Sequence, residues 1–224
     1  QSTFTPHHEA LVSRLISDGL AYPCSCSRRD LAHVPTGPLG AIYPGTCRNG
    51  CSADEFAIRV LVDDEPVQFE DALQGIIQQK LQSESGDFII KRRDGLIAYH
   101  LAVVVDDFDQ GITEIVRGVD LLDSTPRQIH LQRLLGFATP NYVHSPVAVG
   151  KDGHKLSKLT GAAAIPNDDV GACLSLALRC LDQHPPETLA GANNEVIWQW
   201  VAENWDPTTL RGKAKIYPAH HGYG

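Results

Sequence analysis

Apolar residues recur along this chain in two kinds of spacing, and these predict its elements. Near the start, Ala10, Leu11, Leu15 and Ile16 return every three to five residues behind Thr5-Pro6. That pattern predicts an amphipathic helix capped by Thr5, with Pro6 at its first position and its end near Gly19. Glu55 to Val62 alternates as a strand, with Val67 to Phe69 as its expected partner. Asp87 to Lys91 then leads through Arg93-Asp94-Gly95, a hairpin-turn sequence, into the apolar run Ile97 to Val105. A run without polar alternation implies a strand or helix buried on both sides, with Asp106-Asp107 at its end facing a crevice. Ile112 to Val116 reads as a further strand, and Arg117 stands at its carboxyl end, where open α/β sheets bind ligands.

The second half carries more helix. Ser124 to Leu135, with Pro126 near its start and Gly136 as its stop, is one helix, followed by a short strand at Val147 to Val149. Beyond Pro166, Asn167 is the expected cap of a helix through Leu181. Glu195 to Trp205 then places Val196, Ile197, Trp200 and Val201 on one face. Together these predict an α/β domain over residues 1–165 and a helical region over 166–224.

Composition narrows the function. With 224 residues, 42% hydrophobic and 21% charged, the chain is neither disordered nor collagen-like. Nineteen Lys and Arg against 27 Asp and Glu give a net charge of -8, so no broad cationic surface awaits a polyanion. Any nucleic acid must be met locally, and Lys91-Arg92-Arg93 at the predicted hairpin is the candidate contact. The longest apolar runs fall short of the ~20 residues of a membrane helix. The polar start does not read as a signal peptide, and sparse cysteines in metal-like spacing point to a reducing, cytoplasmic setting. The sequence contains no Met and opens at Gln1 directly into a helix cap, so the expectation is the later part of a longer chain.

Residues 21–53 lack hydrophobic periodicity and are rich in Cys, Pro and Gly. Such a segment needs something other than a core, and a tetrahedral Zn2+ held by thiolates would supply it. Spacing and thiol preference alone select Cys24, Cys26, Cys47 and Cys51. Cys173 and Cys180, seven apart, share a predicted helix face and read as buried inert thiols. In the loop after Val149, Lys155-Leu156-Ser157-Lys158 puts two lysines three apart, a spacing that can follow the phosphates of a nucleotide.

Several of these segments converge on one family. Lys155-Leu156-Ser157-Lys158 resembles the second signature of class I aminoacyl-tRNA synthetases in its glutamyl and glutaminyl form. The stretch from Tyr99 to Asp107, then Arg117-Gly118-Val119-Asp120 and Leu122 to Gln128, are similar to the preceding block in the glutamyl-Q tRNA(Asp) synthetase family, as are Cys24-x-Cys26 and Tyr43-x3-Cys47. The resemblance implies a Rossmann-type class I catalytic domain with a zinc-binding insertion and a helical C-terminal part. It implies activation of glutamate by ATP, with Mg2+ accompanying the nucleotide, and transfer of the glutamyl group to the queuosine base in the anticodon of tRNA(Asp). By position it implies that Tyr99 and Arg117 bind glutamate and that Lys155 and Lys158 bind ATP, with Lys158 as the catalytic lysine. It also gives Cys24, Cys26, Tyr43 and Cys47 as the zinc ligands; Tyr43 is the choice made, with Cys51 as competitor.

One part of the pattern is missing. The first class I signature, a His-x-Gly-His-like segment near the N-terminus, is not found, and His220-His221-Gly222-Tyr223 imitates it only by coincidence. A segment preceding Gln1 is the expectation. The alternatives are a fragment of a discriminating glutamyl-tRNA synthetase and a catalytically degenerate zinc-containing tRNA- or protein-binding module.

Overall fold

A computed structural model describes residues 5–51, 55–161 and 169–218. In chain order these form α1 (Thr5–Ser17), β1 (Ala21–Cys24), the two-residue strands β2 (Thr36–Gly37) and β3 (Gly40–Ala41), β4 (Ala57–Val60), β5 (Pro66–Asp71), β6 (Gly75–Lys80), α2 (Leu81–Glu84), β7 (Phe88–Lys91), α3 (Tyr99–Asp109), β8 (Glu114–Gly118), α4 (Thr125–Leu135), β9 (Asn141–Ser145), β10 (Val147–Ala148), α5 (Val170–Cys180), α6 (Asn194–Asn204) and β11 (Lys215–Ile216). Two compact units result. The first takes residues 5–70, 76–115 and 121–141; the second takes 71–75, 116–120 and 142–218, less the residues outside the description.

In the first unit β4 is the middle strand of an antiparallel sheet, between β1 and β7. All four residues of β4 are buried, Arg59 among them. The expected pairing of Val67 to Phe69 with this strand does not form. Those residues lie in β5, which is hydrogen-bonded to β6, because the tight Gly75 turn (φ 77°) returns the chain beside it. The Arg93-Asp94-Gly95 turn is present, with Gly95 at φ 85° and Lys91 bridged to Ile97. The apolar run after it becomes α3, not a strand. Its Leu101, Val104 and Val105 are buried where the helix packs on β7, α1 and α4. Four residues from Leu101 to Val105 separate one buried side chain from the next turn's, which is helical spacing.

α1 includes Thr5, expected as its cap, as a helical residue, and it ends ahead of Gly19 (φ 72°), as its sequence predicts. Ser124, Pro126 and the left-handed Gly136 bound α4 in the same way. Asp106 and Asp109 at the end of α3 meet α1: His8 lies 3.0 Å from Asp106 and His7 2.9 Å from Asp109.

In the second unit the last residue of β5, Asp71, pairs in parallel with Tyr142 of β9, and β8 neighbours β9. β10 pairs in parallel with β11. α5 and α6 enclose a small core of Leu178, Leu189 and Ile197, with Trp200 and Val201 against it. Val196, expected on that face, is instead exposed. The cap of α5 is Asp169, whose carboxylate accepts from the Ala172 amide at 2.9 Å. The predicted cap Asn167, the 165/166 boundary and His220 to Tyr223 lie outside the described residues. Cys180 is buried and Cys173 partly so, both on α5. Among the described residues no helix is long and apolar enough to cross a membrane.

Candidate functional site

The segment expected to need a metal brings three of its thiols together. Cys24 ends β1, and the loop that follows returns through β2 and β3 to Tyr43 and Cys47. The sulfurs of Cys24, Cys26 and Cys47 lie within 4.8 Å of one another. The Tyr43 hydroxyl sits among them, 3.3 Å from Cys24 Sγ and 3.7 Å from Cys26 Sγ, and accepts from the Cys47 amide at 2.9 Å. Cys51 is partly buried and packs against this cluster, but its sulfur is not one of the three that converge. The three thiols form a donor set that suits Zn2+, while burial and the bonds with Cys24 and Cys47 push the Tyr43 phenol up.

Tyr43 is seated by a glycine. Gly86 (φ 66°) forms a bridge with Tyr43, and a Cβ there would stand 2.3 Å from the Tyr43 carbonyl oxygen and 2.4 Å from its nitrogen. Only a residue without a side chain permits this approach.

A buried cation faces the same cluster. Arg59 donates from Nε to Cys24 Sγ at 3.2 Å, donates to the Asp87 carbonyl at 2.6 Å, and lays its guanidinium 3.9 Å over the Tyr43 ring. The Asp87 side chain in turn accepts from Arg48 at 2.7 Å through two nitrogens, from the Val62 amide and from the Tyr22 hydroxyl. Burial and the neighbouring Asp87 carboxylate push the Tyr22 phenol up. Burial also pushes the Cys26 thiol up, to about 11. For Cys47 burial acts upward as well, but hydrogen bonds from Tyr43, the Ser25 backbone and the other two cysteines outweigh it and bring the thiol down to about 7. Fixed positive charge beside thiolates favours their ionised, metal-binding form.

The second group of expected residues divides between the units. Tyr99 opens α3 in the first unit, half exposed. Arg117, Lys155 and Lys158 belong to the second. Arg117 lies near the end of β8, as its position after Ile112 to Val116 predicts. Its Nε donates to His144 Nε2 at 3.0 Å, and its guanidinium stands 5.5 Å from the Tyr142 ring centre. Lys155 Nζ is 2.6 Å from the Asp120 carboxylate, with both side chains about half exposed. Lys158 is exposed and begins a short 3-10 turn.

Two residues that sequence patterning passed over stand behind Arg117. Asp71 and His144 are both essentially inaccessible, and His144 Nδ1 is 2.6 Å from Asp71 Oδ2. Asp71 also accepts from the amides of Leu73, Gln74 and His144. Burial works against the Asp71 anion, but the His144 bond and these amides hold its carboxyl below the ordinary range. Burial, aided by the Arg117 charge and opposed by Asp71, lowers the His144 pKa. The signal in the sequence was slight: the alternation of Tyr142 and His144 with more exposed neighbours in β9.

The candidate phosphate contact is internally engaged. Lys91 pairs with Glu9 at 2.6 Å, Arg92 with Asp94 at 2.6 Å, and Arg93 donates to the Ser25 carbonyl at 2.6 Å.

Comparison with known proteins adds the following. Residues 42–173 match the family described as tRNA synthetases class I (E and Q), catalytic domain. The glutamyl-Q tRNA(Asp) synthetase of Ectopseudomonas mendocina is 49% identical over 207 residues, 92% of this chain and 69% of that protein. The enzyme of the same name from Geobacter sulfurreducens is 46% identical over 230 residues, 98% of this chain and 73% of that protein. Among solved structures, a glutamate tRNA ligase from Elizabethkingia meningosepticum in complex with its amino acid shares the fold, with a TM-score of 0.71 at 16% identity. It covers 96% of this chain, which spans about half (51%) of that one.

Proposed function

We propose, for a chain that belongs to the class I glutamyl- and glutaminyl-tRNA synthetases and within them to the glutamyl-Q tRNA(Asp) synthetase family, that it activates glutamate with ATP and transfers the glutamyl group to queuosine in the anticodon of tRNA(Asp). The observation that carries this reading is identity of 45–49% to pseudomonad enzymes of that name, sustained across about nine-tenths of the chain. The catalytic part is assigned to residues 1–165 and the helical region to 166–224, in the cytoplasm where tRNA is found.

In the first step the glutamate carboxylate attacks the α-phosphorus of ATP, forming glutamyl adenylate and releasing pyrophosphate. In the second a queuosine oxygen attacks the activated carbonyl, and AMP leaves. No protein nucleophile is needed; the contribution of the chain is position and charge. Arg117 is assigned to a glutamate carboxylate, since a guanidinium can grip it through paired N–H donors. Tyr99 is assigned to the same substrate through its phenol. Lys155 and Lys158 are assigned to the triphosphate, where exposed ammonium groups on a Gly-containing loop can follow charge onto departing pyrophosphate. Lys155 leaves Asp120 when it does so. Mg2+ accompanies the ATP.

Cys24, Cys26, Tyr43 and Cys47 are assigned as ligands of one structural Zn2+. The ion supplies a clip for residues 21–51 where apolar packing is thin. Arg59 offsets the negative charge that the thiolates bring.

The test is glutamate-dependent ATP–pyrophosphate exchange without tRNA, followed by glutamate transfer to queuosine-containing tRNA(Asp) and to tRNA(Glu). Exchange without tRNA and transfer only to tRNA(Asp) is the expected result. Exchange that requires tRNA(Glu), with charging of that tRNA, would identify a discriminating glutamyl-tRNA synthetase instead.

A further inference from the structure

A guanidinium on a long side chain is a useful carboxylate grip only if its plane is fixed, because Arg loses substantial rotamer freedom on binding. Three residues of the second unit supply such a fixing. Arg117 donates from Nε to His144 Nε2 at 3.0 Å, and His144 Nδ1 lies 2.6 Å from Asp71 Oδ2. Both His144 and Asp71 side chains are inaccessible to solvent.

The chemistry of the donors assigns the protons. Arg117 Nε has no lone pair to offer, so His144 Nε2 must be the acceptor. The imidazole is therefore neutral, with its proton on Nδ1, and that proton is donated to the Asp71 carboxylate. Asp71 is itself immobile. Its oxygens accept from the Leu73 amide at 3.0 Å, the Gln74 amide at 2.8 Å and the His144 amide at 3.0 Å. The His144 backbone is tied a second time, its carbonyl accepting from Gln74 Nε2 at 2.8 Å. The ring is stacked at 6.0 Å on Tyr142, the same ring that lies under the Arg117 guanidinium. Every rotation that would swing Arg117 away from this plane breaks one of these contacts.

We propose that Asp71 and His144 are positioning residues that hold the Arg117 guanidinium in the orientation required to bind a substrate carboxylate. This rests on the assignment of Arg117 to glutamate. Neither residue touches the substrate. A bond at Nε fixes the rotation of the guanidinium and so sets where its two Nη groups point. Because the imidazole must accept from Arg117, the hold exists only while His144 is neutral. The charged groups that bear on the ring are Asp71 at the end of β5, Arg117 on β8 and Asp120 beyond it.

The experiment measures L-glutamate and ATP binding to the full chain by calorimetry for Arg117→Ala, His144→Leu and His144→Gln, with melting curves for each. Gln can accept from Arg117 through its oxygen and donate to Asp71 through its nitrogen, as the neutral imidazole does. The expected result is strong loss of glutamate binding in Arg117→Ala and a loss of roughly 10- to 100-fold in His144→Leu. His144→Gln should recover most of the affinity, and ATP binding should be unchanged throughout. If Arg117→Ala loses glutamate while His144→Leu keeps it, or if Gln fails as badly as Leu, the positioning role falls and the Arg117 assignment stands. If Arg117→Ala binds glutamate normally, the assignment of Arg117 itself falls. Imidazole nitrogen NMR decides the hold independently of substrate and of whether the Leu variant folds. His144 should be protonated on Nδ1 and bare on Nε2, with the Nε2 resonance displaced in Arg117→Ala; a protonated Nε2 at neutral pH overturns the proposal.

Discussion

At the scale of residues, the side chains assigned to zinc and those assigned to substrate make separable demands. Replacing Cys24 with Ser should reduce bound zinc well below equimolar, whereas Cys51→Ser should leave it intact, and metal analysis of the purified variants checks both. Gly86→Ala should lower zinc content too, although residue 86 donates nothing to the metal, because its Cβ would displace the Tyr43 backbone. In activity, Arg117→Ala should raise the glutamate requirement of ATP–pyrophosphate exchange far more than that for ATP. Lys158→Ala should slow exchange with little change in glutamate affinity. Equal loss of both functions in both variants would show that the two roles are wrongly divided. The residue types were readable because their chemistry is local: thiols two apart and lysines three apart carry their meaning in the spacing. His144 and Asp71 carry none, since 73 residues of sequence separate them.

At the scale of elements, the parallel junction of β5 and β9 gives stability a pH dependence. The His144 pKa is lowered in the folded protein, so between its unfolded value near 6.5 and the folded value the unfolded chain binds the extra proton. Stability should therefore fall as pH drops below about 6.5. Asp71, also lowered, contributes a further decline only below its unfolded value near 3.8. Denaturant midpoints from pH 8 to pH 5 should show the first decline, and His144→Gln should reduce it, leaving the share of His130, whose pKa burial also lowers. In α3, Leu101→Ala removes a fully buried side chain and should cost about 2–5 kcal/mol by the same denaturant measurement. That helix also shows what patterning leaves open. A continuous apolar run is compatible with a buried strand or a buried helix, and the choice was made by packing against α1, α4 and β7. Glycine stops were legible at α1 and α4, because a left-handed residue at a helix end is a local demand that glycine meets.

At the scale of the whole molecule, a net charge of -8 asks tRNA contact to be local, and the basic hairpin does not supply it freely. Lys91, Arg92 and Arg93 already satisfy Glu9, Asp94 and the Ser25 carbonyl. Replacing all three with Ala should leave the salt dependence of tRNA(Asp) binding unchanged, whereas a flatter slope would make them phosphate contacts after all. The sequence by itself determined the family, the α/β class, the glycine stops of α1 and α4 and the thiols of residues 21–51, because each depends on short spacing or on residue identity. Tertiary structure decided which strands pair, that Tyr43 and not Cys51 stands among the three thiols, that Arg59 faces Cys24 and Tyr43, and that His144 and Asp71 stand behind Arg117. Those outcomes depend on which distant segments meet when apolar surface is buried and buried polar groups find partners, and no local pattern records such meetings.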